Sequence, residues 1–111
     1  MIQAKPFIRN VNFSTTSANY ELLTDTNIVS ALQERLGLNS SEEVAKYIAS
    51  NKLSIYFEIY FTSPQYVSIN ESAYYPTMDG DLYYSGNFIN PVNSIRVQNS
   101  GATGMIAFLV E

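Results

Sequence analysis

Cysteine and histidine are both missing from these 111 residues. Their absence removes disulfides, thiolate nucleophiles, imidazole bases and every zinc site built from those ligands. Charge is scarce as well: Asp, Glu, Lys and Arg supply 14% of the chain, against about 25% in an average globular protein. Six basic residues stand against ten acidic ones, and Lys5, Arg9, Arg35, Lys46, Lys52 and Arg96 are scattered. A phosphate-binding face needs its cations concentrated, so no nucleic-acid partner is expected. No apolar run reaches the length of a membrane span, and the opening MIQAKPFIRN lacks the apolar stretch of a secretory leader. The expectation is a chain with no membrane partner, made without a cleaved leader, in which the sequons at Asn12, Asn39 and Asn70 are chance.

What is present is apolar. Hydrophobic residues make up 46% of the chain, enough for one domain spanning residues 1–111 with a single core and a radius of gyration of about 13 Å. The clearest strand runs from Leu53 to Thr62. Leu53, Ile55, Phe57, Ile59 and Phe61 alternate with Ser54, Tyr56, Glu58, Tyr60 and Thr62, so one face is wholly apolar. Burying those five side chains is worth roughly 7 to 15 kcal/mol before entropy is subtracted, which predicts a central strand. Its other face, with two tyrosines and a glutamate, suits a half-wet surface or an interface.

A helical hairpin over about residues 26–51 precedes it. Ile28, Val29, Leu32 and Leu36 recur at helical spacing behind the caps Asp25 and Thr26, and Gly37 offers a left-handed stop. Ser40 with Glu43 three residues later forms a capping box, after which Val44, Tyr47 and Ile48 share one side. Helices this short must pack on a sheet to persist.

The remainder reads as strands and turns. KPFIRNVNFS sets Phe7, Val11 and Phe13 on one face with Arg9 interrupting, and QYVSIN offers a short strand after Pro64. In YYPTMDGDLYY, Asp79 and Gly80 read as a tight turn that would put Tyr75 opposite Tyr84, with Pro76 on an outer edge. Ile95 and Val97, an Asn99 to Gly104 turn and the last strand read as a closing hairpin. Met105 to Val110 are apolar at both alternations, which predicts cover on two sides, from the core and from helices or a neighbouring subunit.

No constellation carries chemistry. GATG, Gly101 to Gly104, precedes a strand where a phosphate cradle needs a helix. LQERLGLNSSEEVAKYI resembles a helix-turn-helix in outline, but Glu42 and Glu43 at the second helix's start would repel phosphates. Asp79 and Asp81 lack the oxygen-rich series of a calcium loop. No Gly-x-Ser-x-Gly elbow is present and no glutamate is singled out for glycosidase work. The expectation is therefore no enzyme, no catalytic residue, no metal and no cofactor. Nine tyrosines, with Tyr74, Tyr75, Tyr83 and Tyr84 around one predicted hairpin, are the suggestive feature. Tyrosine on a strand serves a protein interface, a sugar platform or plain cross-strand packing equally well.

GNFINPVNSIRVQNSGATGMIAFLVE, Gly86 to Glu111, runs as a loop, a strand, a small-residue turn and an aliphatic strand. That layout resembles the closing hairpin of jelly-roll and immunoglobulin-like modules in bacteriophage capsid decoration, collar and tail proteins. The resemblance implies a mostly antiparallel β-sandwich, jelly-roll or immunoglobulin-like; the helical hairpin is not part of that pattern, and with it inserted the expected fold class is α+β. The resemblance also implies a non-enzymatic virion component, made in a bacterial host's cytoplasm and docked in many copies as a homo-oligomer or symmetric array on other virion proteins. The expected interface is Tyr74, Tyr75, Tyr83, Tyr84, Met105, Ile106, Phe108 and Val110. The rival expectation is a carbohydrate-binding module holding a surface glycan, with Tyr75 and Tyr84 as stacking rings and Asp79, Asp81 and Asn87 as hydroxyl partners.

Overall fold

Strict alternation of apolar and polar residues makes Ile55–Phe61 a strand with one face dry, and a dry face needs a partner layer. The computed structural model, which describes residues 8–77, 83–89 and 91–110, supplies that layer with a second sheet and two helices. In chain order come β1 (Ile8–Ser14), β2 (Tyr20–Glu21), a single 3-10 turn (Leu22–Thr24), α1 (Thr26–Leu36) and α2 (Ser41–Ala49). Then follow β3 (Ile55–Phe61), β4 (Tyr66–Ile69), β5 (Tyr75–Pro76), β6 (Tyr83–Ile89), β7 (Ile95–Val97) and β8 (Thr103–Val110). The protein is α+β, with its strands in two four-stranded antiparallel sheets ordered β1-β8-β3-β6 and β2-β7-β4-β5. The pairings nest: first strand with last, second with seventh, third with sixth, fourth with fifth.

One core joins the layers. Ile55, Phe57, Ile59, Ile106 and Phe108 from the first sheet, Val67, Ile95 and Val97 from the second, and Leu22, Ile28, Leu32 and Val44 from the helical region are completely buried together. The radius of gyration, 13.4 Å, is that of a single domain of this length.

The helices begin and end where side-chain chemistry dictates. The Asp25 carboxylate accepts from Asn27 N at 3.1 Å and Ile28 N at 3.3 Å, capping α1. Gly37, at φ 69°, closes it with Leu38 N on Gln33 O at 3.0 Å and Gly37 N on Glu34 O at 3.3 Å, a Schellman arrangement. Glu43 N donates to Ser40 Oγ at 3.2 Å, while the Glu43 carboxylate reaches back one residue beyond the cap to Asn39 N at 2.7 Å.

Two expectations fail on the same ground, which is that the chain changes sheets. Tyr75 pairs with Val67 in the second sheet and Tyr84 with Ile59 in the first, so no hairpin sets them opposite each other. Buried Thr77 fixes the departure point, with its N on Gln65 O at 2.9 Å and its Oγ1 accepting from Gln65 N at 3.3 Å. The expected Asp79–Gly80 turn lies outside the described residues. Likewise β7 belongs to the second sheet and β8 to the first, so the expected Asn99 to Gly104 turn is an arch between layers and not a hairpin loop, its last two residues already in β8. Thr15 staples that arch: Thr15 N donates to Ala102 O at 2.8 Å, Gly101 N to Thr15 O at 2.7 Å, Ala102 N to Thr15 Oγ1 at 2.8 Å, and Thr15 Oγ1 to Asn99 O at 2.7 Å. The Arg9 interruption in β1 is met by a register shift, since Ile8 pairs with Phe108 but Val11 with Ile106, an extra residue that re-phases the strand.

Gly104 occupies the middle of a row between Phe13 and Phe61. Without a side chain there, the two rings meet edge to face, 5.8 Å between centroids. A Cβ at Gly104 would stand 2.3 Å from Tyr60 O and 3.2 Å from the Phe13 ring. Gly104→Ala is therefore expected to lower unfolding free energy by about 1 to 3 kcal/mol, the range for overpacking, as read from the urea midpoint.

Asp25 carries a second duty, accepting the Tyr20 hydroxyl at 2.7 Å. That hydrogen bond first, then burial, then the Asp25 charge push the Tyr20 phenol from 10.0 to about 12. The folded form thus holds a proton that the unfolded chain gives up near the ordinary value. The contribution to stability is full below pH 10.0 and is lost as pH climbs toward about 12. Urea titrations across that window should show a falling midpoint whose slope is shallower in Tyr20→Phe.

Candidate functional site

The polar alternation of β3 and β8 builds the outward face of the first sheet. Tyr56 stands in register with Leu109, Glu58 with Ala107, and Tyr60 with Met105, which also pairs with Asn12 on β1. Tyr56 donates its hydroxyl to Glu58 Oε1 at 2.9 Å and Tyr60 its hydroxyl to Glu58 Oε2 at 3.3 Å. The carboxylate is thereby held between two phenols, in register with Ala107. Tyr60 and Met105 remain 41% and 37% exposed side by side, an amphipathic ring beside a flexible thioether. Burial first, then the Glu58 charge, the hydrogen bond to Glu58 and the neighbouring Tyr56 raise the Tyr60 phenol above its ordinary value.

Beyond Tyr60 the face dips into a cavity of about 350 Å³, floored by Gly104, Phe13 and Phe61 and rimmed by Asn12, Thr62 and Thr103. Thr62 and Thr103 share a hydroxyl contact of 2.8 Å, and Thr62 N donates to Thr103 O at 3.1 Å. The chemistry on offer is contact: aromatic and thioether surface with hydroxyl and amide partners around it. Among the described residues no three His, Cys, Asp or Glu side chains gather as a metal site, and no helix is long and apolar enough to cross a membrane.

Comparison with protein-family models, with curated proteins and with solved structures finds no match. The site therefore rests on its own residues.

Several expected interface residues need correction. Ile106 and Phe108 are completely buried and Val110 nearly so, because they alternate onto the core side of β8; they offer no surface. The outward residues of that strand are Thr103, Met105, Ala107 and Leu109, of which Ala107 is buried, Leu109 half-buried and Thr103 and Met105 exposed. The second side of β8 is thus covered only in part. Tyr74 is half-buried and donates its hydroxyl to Asn19 Oδ1 at 2.7 Å, tying the approach to β5 to the turn before β2. Tyr75 is 58% exposed, with Tyr66 at 46% on the adjoining strand. Tyr83 and Tyr84 lie on β6, in register with Tyr60 and Ile59, and their side chains fall outside the described part. The glycan partners Asp79 and Asp81 lie outside the described residues, and Asn87 is placed on β6 by its backbone alone.

Two polar hubs carry no sequence signature. Glu21 accepts from Ser94 Oγ at 2.6 Å, Ile95 N at 2.7 Å and Leu23 N at 3.3 Å, and pairs with Arg96 at 3.5 Å. Asn70, at φ 51°, accepts from Asn93 N at 2.8 Å and Ser94 N at 3.2 Å and donates its amide to Pro91 O at 2.9 Å. That amide is the nitrogen a glycan would need, so the structural duty of Asn70 accounts for the residue without its sequon. A shift in Tyr60 ionisation tests the outward cluster: Glu58→Gln removes the carboxylate's charge, and the Tyr60 ring resonances should then titrate at lower pH than in the parent.

Proposed function

We propose that the chain is a non-enzymatic building block of a bacteriophage virion, docking in many copies on a capsid or tail surface through the outward face of its first sheet. The observation that carries this reading is the nested strand pairing, β1 with β8, β2 with β7, β3 with β6 and β4 with β5, divided between two sheets over one core. A long antiparallel hairpin rolled into two sheets gives that order, and it is the order of a jelly-roll sandwich, an architecture used by viral capsid and lectin domains. The helical hairpin then fills the connection between β2 and β3. Among the two finer architectures that the closing segment resembles, the nesting favours the jelly roll over the immunoglobulin-like form.

The outward face suits docking by repetition. Tyr60 and Met105 supply adaptable contact area, and a chain with only 14% charged residues desolvates its surface at little cost. Each contact is modest, and symmetry multiplies it. The glycan reading shares the architecture, but its two stacking rings, Tyr75 and Tyr84, belong to different sheets.

Immunogold electron microscopy, with antibody raised against the chain, on phage particles propagated in the organism that carries the gene should mark regularly spaced positions. In co-sedimentation with particles, Tyr60→Ser combined with Met105→Ser should weaken association by about tenfold or more, the loss typical of truncating contact anchors, at unchanged melting temperature. Unlabelled particles together with a monomer that binds a sugar on a glycan array would replace this reading with the lectin one.

A further inference from the structure

Asparagine amides age by a reaction within the chain, and the fold decides which of them can. The main-chain N of the following residue attacks the side-chain Cγ, ammonia leaves, and water opens the resulting succinimide to aspartate or isoaspartate. A small following residue leaves that N most accessible. This chain has no Asn–Gly pair, and its Asn–Ser pairs are Asn39–Ser40, Asn93–Ser94 and Asn99–Ser100. Ring closure also needs rotation about the asparagine's own Cα–C bond, which turns its carbonyl and the next N–H together.

Two of the three pairs are locked. Ser94 N, the nucleophile of its pair, donates to Asn70 Oδ1 at 3.2 Å, and Asn93 N donates to the same oxygen at 2.8 Å. At Asn99 the carbonyl accepts from Thr15 Oγ1 at 2.7 Å and the side-chain amide reaches Gln65 Oε1 at 3.4 Å. Asn39 differs. It is exposed in the turn between α1 and α2, and its side chain, its carbonyl and Ser40 N have no hydrogen-bond partner among the described residues. The cap itself brings this about. In a regular capping box the Glu43 carboxylate would occupy Ser40 N; here it reaches one residue further, to Asn39 N at 2.7 Å, and leaves the nucleophile uncovered.

We infer that Asn39 is a deamidation site, converting to aspartate and isoaspartate in the folded protein while Asn93 and Asn99 persist. Each conversion adds one negative charge to the net -4. The isoaspartyl product also lengthens the main chain between Asn39 N, which Glu43 holds, and Ser40, whose Oγ accepts from Glu43 N at 3.2 Å. The two halves of the cap then no longer fit one turn, so the start of α2 loosens. The site lies apart from the outward face of the first sheet, so it neither uses nor tests the virion reading.

Ageing the full chain in mildly alkaline buffer should produce an acidic species on isoelectric focusing. Peptide mapping by mass spectrometry should place the amide-to-carboxyl change at Asn39, and the isoaspartyl fraction should melt at a lower temperature than the parent. In guanidinium chloride, where no contact covers any of them, the three pairs should convert at similar rates. The folded-to-unfolded rate ratio should therefore fall well below one at Asn93 and Asn99 and stay near one at Asn39. Asn39→Gln should hold the folded protein at its parent charge, because glutamine closes its larger ring far more slowly. Equal protection of all three pairs, conversion of Asn93 or Asn99 ahead of Asn39, or an undiminished acidic species in Asn39→Gln overturns the inference. An isoaspartyl fraction that melts with the parent overturns the effect on the cap.

Discussion

The first sheet depends on β8 lying between β1 and β3 and satisfying the main chain of both. Residues Thr103 to Phe108 pair with β1, and Gly104 to Val110 pair with β3. A buried strand with unpaired peptide groups would cost several kcal/mol, so this double pairing fixes the register of three strands at once. The Phe13, Gly104 and Phe61 row sets that register. The contact of the two rings requires the missing side chain, and a one-residue slip would put Met105 where only hydrogen fits.

The second sheet is smaller and held differently. Two of its strands are two residues long, too short for ladder bonds alone to support. Glu21 and Asn70 make up the difference by gathering the loop before β7 onto β2 and β4. Thr15 does the same for the arch that carries the chain back to the first sheet. Each hub ties several polar groups of a neighbouring segment to itself, so that polar residues hold this layer's short strands and loops in place.

Local pattern made much of this legible. The alternation of β3, the caps at Asp25 and Ser40, the stop at Gly37 and the edge position of Pro76 all follow from interactions within a few residues, and each is found where the sequence puts it. The polar face of β3 was also readable as an interface candidate. What escaped was long-range: whether two successive strands pair or part to different sheets depends on layers that adjacent residues do not encode. Tyr75 and Tyr84, Ile95 and Met105 were therefore joined in hairpins that the fold does not contain. The apolar run in β8 concealed its own phase, since Ile106, Phe108 and Val110 look no different from Met105, Ala107 and Leu109 until the β3 register is known. Glu21 and Asn70 gave no sign of these roles, because most of their partners lie far along the chain, in the loop before β7 and on β7 itself.

The nesting of strands imposes an order in time as well as in space. Thr15 finds Ala102 across 87 residues, and among the described residues β1 acquires a strand partner only when β8 exists. A ribosome that has made the helices and β3 has therefore made a half-sheet whose apolar side is still wet, and closure of the loops between distant partners must come late. Until β8 has been made, β3 has only β6 as a strand partner and its other edge stays open to mispairing.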